Sequence, residues 1–145
     1  MTLQPNPPAS SGPRRQNILL VEDEPFVRDA TGTILQRAGF EVFPAEDATA
    51  AVRLYHERNG RIDLVITDLV LPGRTGKQLG QDLRRQSPGL AVLITSGFAH
   101  PDYEVDEPES RTFFLAKPYS RRQLVERVER ILAVAPLAQA ATHAG

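Results

Sequence analysis

Short apolar runs alternate along this chain with stretches of helical spacing. Ile62, Leu64, Val65 and Ile66 form one such run, rich in β-branched residues, that ends at Asp68 before Pro72-Gly73 breaks the chain. A run of this kind suits a strand buried on both faces of a parallel sheet. Asn17 to Val21 repeats the pattern and leads straight into Glu22-Asp23-Glu24. Phe40 to Phe43, Leu90 to Thr95 and Thr112 to Ala116 read as three further strands. Between them, Val27, Ala30, Thr31, Ile34, Leu35 and Ala38 fall at helical spacing after Pro25, with Gly39 at the position a helix C-terminus favours. Asp47 can cap a helix carrying Ala48, Ala51, Val52 and Tyr55 that Gly60 closes. Leu79 and Leu83 mark a shorter helix. Ser120 and Gln123 form a capping box, with Tyr119 and Leu124 placed as its hydrophobic staple. Leu124, Val128, Ile131 and Leu132 make the buried face of that last helix, and Glu126 is expected to pair with Arg130.

Strands alternating with helices imply right-handed crossovers and a parallel sheet covered on both sides. Five strands suit an α/β, flavodoxin-like, doubly wound sheet in the order 2-1-3-4-5. Residues 1–16, rich in Pro, Ser and Asn, read as a disordered leader, 17–134 as the folded domain, and 135–145 as a flexible Ala-rich tail. The segment 99–111 should hold the fourth helix of such a fold. It contains two prolines and five acids, with only Tyr103 and Val105 as large apolar residues, so that helix is expected to be short, distorted or absent.

Composition narrows the function. The net charge of −1 gives no global field toward nucleic acid or an anionic membrane. There is no cysteine, which removes thiolate metal sites and cysteine nucleophiles and fits a reducing cytosol, so a cytoplasmic location is expected. No apolar run reaches membrane-spanning length and no secretory h-region is present.

In the 2-1-3-4-5 order the strands ending at Asp23, Asp68, Ser96 and Lys117 are neighbours, and their carboxyl ends converge on one crevice. Glu22, Asp23 and Asp68 would then be three anions in close proximity. Like charges about 5 Å apart at an effective dielectric of about 20 repel by roughly 3 kcal/mol per pair. Lys117 supplies one compensating charge and a divalent cation would supply the rest. Hard carboxylate oxygens without cysteine favour Mg²⁺ over zinc. A blander account, an acidic helix N-terminus favoured by the dipole, covers Glu24 but not the placement of Asp68 and Lys117.

Four motifs in order, each after a strand, complete the pattern: Leu-Val-Glu-Asp-Glu-Pro at 20–25, Asp68 followed by Leu71-Pro72 and Gly76, Ser96-Gly97, and Lys117-Pro118. With them the chain resembles the receiver domain of two-component response regulators over roughly Asn17 to Ala133. The resemblance implies that Asp68 accepts a phosphoryl group from a phosphohistidine on a sensor histidine kinase or histidine phosphotransfer protein. It implies that Asp23, Asp68 and the backbone carbonyl of Val70 bind Mg²⁺ directly, with Glu22 acting through a water. Ser96 is the switch hydroxyl, Lys117 the lysine that neutralises phosphoryl charge, and the bond before Pro118 is expected to be cis. Phe114 falls at the switch aromatic position. As a turn residue before Gly97 and a plain core aromatic, Ser96 and Phe114 also have ordinary structural readings.

The expected role is thus a phosphorylatable signalling switch acting on a downstream protein, not an enzyme in its own right. Nothing after the last helix is long enough to fold into an output domain, so if Met1 and Gly145 are the ends, a stand-alone receiver is expected. The oligomeric state stays open, since the usual dimer face includes the fourth helix. A second reading is a pseudo-receiver that works as a protein-binding scaffold without phosphorylation, against which the full set of Asp23, Asp68, Ser96 and Lys117 argues. A third is an enzyme or flavin carrier. An aspartate-based phosphatase needs a second acid two residues after Asp68, where Val70 stands, and the acids after the first strand would repel a flavin phosphate. The histidines at 56, 100 and 143 show no metal-ligand spacing, and His56 reads as a residue near a helix C-terminus.

Overall fold

The computed structural model describes residues 15–97 and 106–134. Most of the expected leader, the tail at 135–145, residue 98 and the 99–105 part of the expected fourth helix lie outside the described residues. The strands of the main sheet are β1 (Asn17–Val21), β2 (Glu41–Ala45), β3 (Leu64–Asp68), β4 (Ala91–Ser96) and β5 (Thr112–Ala116), and Val70–Leu71 and Arg74–Thr75 make a small separate antiparallel pair. The helices are α1 (Pro25–Arg37), α2 (Ala48–Glu57), α3 (Gly76–Arg84) and α4 (Arg121–Leu132). All five strands are parallel, in the order β2-β1-β3-β4-β5. Between β4 and β5, the described residues hold one short 3₁₀ turn, Pro108–Ser110, and no α-helix.

Period-two alternation sorts the central strands between two cores. Leu19, Val21, Val65, Val92 and Ile94 point to one face, where Ala48, Ala51 and Tyr55 of α2 and Leu79 and Leu83 of α3 meet them. Ile18, Leu20, Leu64, Ile66 and Leu93 point to the other, against Leu35 of α1 and Leu124, Val128 and Ile131 of α4. Both faces of β3 are covered, and all five of its residues are buried.

The chain punctuation acts as its chemistry requires. Asp47 caps α2 by accepting a hydrogen bond from the Ala50 N–H. Ser120 and Gln123 make both halves of the capping box on α4. Gly39 has φ +104°, which lets the chain leave α1 and enter β2 at once. Two local expectations are corrected. Glu126 bonds Arg122, four residues before it, at 3.1 Å rather than the expected Arg130. β2 runs to Ala45 through Pro44 instead of stopping at Phe43, since an edge strand has an open side on which proline forfeits no ladder bond.

α1 is only partly covered by the fold. Thr31 and Leu35 are buried, but Val27 and Ile34 are half-buried and Phe26 is 86% exposed. Phe26, Val27, Ala30, Thr31 and Ile34, with Pro118 and Tyr119, line an open apolar groove of about 630 Å³ that reaches Gly97 and Lys117.

Candidate functional site

The carboxyl ends of β1, β3, β4 and β5 form one crevice. β1 ends at Val21, and the next residue, Glu22, is fixed by its backbone: its N–H donates to the Ala45 carbonyl at 3.0 Å and its carbonyl accepts from Arg28 Nη1 at 2.7 Å. Glu22 Oε2 accepts from the Glu24 N–H at 3.2 Å as α1 begins. Asp68 is the last residue of β3 and pairs in register with Thr95. The Lys117 N–H donates to the Ser96 carbonyl at 2.8 Å, holding the end of β5 against the end of β4. The Lys117–Pro118 peptide is cis.

Within this frame Lys117 Nζ donates to Asp68 Oδ1 at 2.6 Å and to Glu22 Oε1 at 3.2 Å. Thr95 Oγ1 donates to the same Asp68 Oδ1 at 3.1 Å. Carboxylate oxygens of Glu22, Asp23 and Asp68 lie within 4.8 Å of one another. Glu22 and Asp68 are buried while Asp23 is exposed. Beside them Asp68, Leu69, Val70, Thr95, Ser96, Gly97 and Lys117 line a shallow cavity of about 200 Å³. The structure thus brings Glu22, Asp23, Asp68, Val70, Ser96 and Lys117 together. Phe114 lies elsewhere: it is buried in the core cluster with Leu69, Val92 and Ile94.

The electrostatics follow from burial. Desolvation raises the Glu22 pKa to about 7, with the neighbouring Asp68 carboxylate adding to the effect. Burial disfavours the Lys117 ammonium, but hydrogen bonds and charge from Asp68 and Glu22 outweigh it and hold its pKa above the ordinary lysine value. Three carboxylates around one lysine leave an excess of negative charge in a partly dehydrated crevice. Hard oxygen donors in that arrangement suit a divalent cation such as Mg²⁺, with Asp23 giving it access from solvent.

The Glu22 shift carries a stability consequence. Below pH 4.5 its carboxyl is protonated in both folded and unfolded chains. Between that value and about 7 the folded chain holds the proton more tightly, so the group's contribution is lost as pH rises through about 7. In metal-free solution Glu22→Gln is therefore expected to be more stable than wild type at pH 8, by on the order of 1 kcal/mol after allowance for water in the crevice. The advantage should shrink toward pH 5. Urea unfolding with a chelator at both pH values checks this, and an equal difference at the two would contradict it.

One residue of the site was not anticipated. Thr95 is buried and bonds Asp68 directly, whereas the sequence directs attention to the next hydroxyl, Ser96. The adjacent Thr95-Ser96 pair at a strand end is the available signal, and the Asp68–Thr95 register brings the Thr95 hydroxyl to the acid.

The model of the response regulator receiver domain matches residues 18–129. The chain belongs to the receiver domain family. It is 34% identical over 116 residues to the sensor kinase CckA of Brucella abortus, covering 79% of this chain and 12% of that protein. It is 32% identical to the sensory transduction protein RegX3 of Mycolicibacterium smegmatis, covering 80% of this chain and 50% of that protein. The chain thus spans half or less of these curated relatives. Among solved structures, the receiver domain of the hybrid histidine kinase CckA matches with a TM-score of 0.69 and 34% identity, covering 80% of this chain and 98% of that one. A receiver domain protein from Clostridium thermocellum matches with a TM-score of 0.74 and 25% identity, covering 81% of this chain and 94% of that one. The acidic cluster accordingly lies in a receiver domain of two-component signalling, and among the described residues no helix is long and apolar enough to cross a membrane.

Proposed function

We propose that this receiver domain accepts a phosphoryl group on Asp68 from a phosphohistidine and thereby changes its binding to a downstream protein. The carrying observation is the meeting of Asp68, Lys117, Thr95 and the Glu22–Asp23 pair at one cavity mouth. In the step, a carboxylate oxygen of Asp68 attacks phosphorus, the P–N bond to the donor imidazole breaks, and its electron pair stays on the ring nitrogen. An acyl phosphate results. Asp23, Asp68 and the Val70 carbonyl would hold Mg²⁺, with Glu22 acting through a water. When bound, the ion neutralises carboxylate and phosphoryl charge. Lys117 offers its ammonium to the incoming phosphoryl oxygens, and Ser96, on the cavity wall, supplies a hydroxyl. This is a signalling role with a cytoplasmic setting, and the receiver needs no nucleic acid or membrane for it. Phosphate loading alters charge at the ends of β3 and β4, and Phe114 beneath them is the aromatic through which that change would pass.

The test is intact-mass measurement after incubation with acetyl phosphate and Mg²⁺. Gain of one phosphoryl group supports the reading. No gain favours the pseudo-receiver, a scaffold that binds its partner without modification.

The donor protein must reach the cavity, and the apolar groove of α1 shares Gly97 and Lys117 with it. The groove is therefore assigned to the histidine-bearing partner, whether kinase or phosphotransfer protein. Phe26→Asp is expected to slow transfer from such a partner by about tenfold, as removal of an exposed aromatic anchor does. Loading by acetyl phosphate should be unchanged. Equal slowing with both donors would place Phe26 in the site rather than at the docking face.

A further inference from the structure

Lys117 is the one residue of the lysine–acid cluster carried by an edge strand. Asp68 ends the central strand β3 and Glu22 follows β1, but β5 has a sheet partner on one side only. Edge strands present unpaired N–H and C=O groups and open at lower free energy than central ones. Here the open side is covered from within the chain. The Glu107 N–H donates to the Thr112 carbonyl at 2.7 Å, and the Thr112 N–H returns to the Glu107 carbonyl at 3.0 Å. Two positions on, the Phe114 N–H donates to Asp106 Oδ1 at 3.0 Å and the Phe114 carbonyl accepts from Arg127 Nη2 at 3.3 Å. Asp106 and Arg127 then close on each other as an ion pair. Lys77 of α3 holds Glu107 at 3.3 Å, so the cover is tied to helices on both sides of the sheet. The Arg127 guanidinium also lies 5.8 Å from the centre of the Phe113 ring.

Resting on the reading of Asp68 as a phosphoryl acceptor, we propose that Asp106 and Arg127 are positioning residues: their clamp on the free edge of β5 holds Lys117 over Asp68. Neither touches the acceptor, the metal-binding acids or the incoming group. Their influence passes through Phe114 of β5, three residues before Lys117, which directly follows that strand; Phe114 is buried in one core cluster with Leu69 and Ile94, the sequence neighbours of Asp68 and Thr95. The clamp is one unit, because a single carboxylate bridges the strand N–H and the arginine that takes the strand carbonyl. Losing Asp106 frees the Phe114 N–H, losing Arg127 frees the Phe114 carbonyl, and either loss removes the ion pair that holds the other partner in place. The acids that would bind the cation sit on or after central strands, outside its reach.

The experiment compares wild type with Asp106→Ala, Arg127→Ala and the double variant. Loading by acetyl phosphate with Mg²⁺ is followed by intact mass, Mg²⁺ affinity by calorimetry, and amide exchange at Phe114 and Lys117 by NMR. Each single variant is expected to load about tenfold more slowly, in line with the cost of a small misplacement of a charge-stabilising group. The double variant should be no slower than the singles, exchange at both amides should rise, and Mg²⁺ affinity should stay within about twofold. Asp106→Asn keeps an acceptor for the Phe114 N–H without the charge, and Arg127→Lys keeps the charge without the fork. Both are expected to fall between wild type and the alanine variants, and they carry the comparison if an alanine variant does not fold. An unchanged loading rate, or Mg²⁺ affinity falling in step with it, overturns the proposal while leaving the acceptor reading intact. A wild type that never loads overturns both.

Discussion

Asp68→Asn is expected to abolish phosphoryl acceptance completely while leaving the metal-free fold at least as stable as wild type. The two outcomes have one cause. Asparagine has the size and shape of aspartate and its amide oxygen can still accept the Thr95 hydroxyl, which stands 3.1 Å from Oδ1. It is no nucleophile toward phosphorus, so the covalent step has no substitute. What the fold loses is one of the two carboxylate partners of Lys117 Nζ, the one at 2.6 Å. It also loses one of three carboxylates clustered within 4.8 Å, where like charges repel by about 3 kcal/mol per pair at an effective dielectric of about 20. Asp23 is exposed and its share is screened, whereas Glu22 is buried and its share is not. Lys117 keeps Glu22 at 3.2 Å, and burial, the main cause of the raised Glu22 pKa, still acts while the smaller part that Asp68 adds is gone. Stability should therefore hold or rise, and Mg²⁺ affinity should fall if Asp68 is the direct ligand proposed above. Intact mass, urea unfolding and calorimetry read the three effects. A variant that still gains a phosphoryl group would move the acceptor elsewhere, and one that unfolds would make Asp68 a structural residue.

That pairing of lost function with retained or improved stability is what a site built from mutually repelling groups should show. Such a crevice is held by the backbone around it. Glu22 is fixed by its own N–H and C=O, and Asp68 belongs to a strand with both faces covered. Lys117 also has a backbone hold, its N–H on the Ser96 carbonyl, but it follows an edge strand whose open side the Asp106 and Arg127 side chains close. Central strands thus carry the anions and a reinforced edge carries the cation.

Much of this was legible because local composition and global topology agree. β1 and β5 fall on the residues where their apolar runs begin and end, since each run is bounded by residues that cannot continue it: an acidic trio after Val21, and Lys117-Pro118 after Ala116. Alternation and crossover handedness gave a parallel sheet, five strands suited the flavodoxin-like order, and once that order is known the strand ends define the crevice. Tertiary choices were not legible. Glu126 has an arginine four residues to either side, and pattern alone does not decide between Arg122 and Arg130. That the Thr95 hydroxyl reaches Asp68 depends on a register between residues 27 apart in the chain. Asp106 and Arg127 are 21 residues apart on unlike elements, so no periodicity joins them. Phe114 could be placed in its strand, but that its ring is packed in the core depends on the neighbours it meets there.

Gly76 shows the same limit, and its replacement should have the largest effect on folding. In sequence it is the glycine that follows Asp68 and Leu71-Pro72, at the start of α3. Nothing in a helix's first turn requires glycine. The structure supplies the reason: a Cβ at Gly76 would lie 2.1 Å from the Asp68 carbonyl oxygen, 2.8 Å from Thr67 Cγ2 and 3.0 Å from Thr67 Oγ1. The Gly76 N–H donates to the Leu69 carbonyl at 2.7 Å, so the helix begins directly against the backbone that carries the acceptor. An atom pair at that separation must part by more than about an ångström to reach ordinary contact. The nearest obstacle, the Asp68 carbonyl oxygen, is backbone, which no rotamer change relieves. Gly76→Ala is therefore expected to destabilise the domain by about 3 kcal/mol, the upper range for overpacking, and to slow loading at Asp68 as β3 and α3 are pushed apart. Gly73→Ala provides the contrast. Gly73 has φ +83° with no atom within 4 Å of its would-be Cβ, so its cost is the conformational one alone, about 1 kcal/mol. Urea unfolding of the two variants separates close approach from backbone strain: a Gly76→Ala protein no less stable than Gly73→Ala would mean that α3 does not rest on the Asp68 backbone, and the support for the acceptor from that side would have to be sought elsewhere.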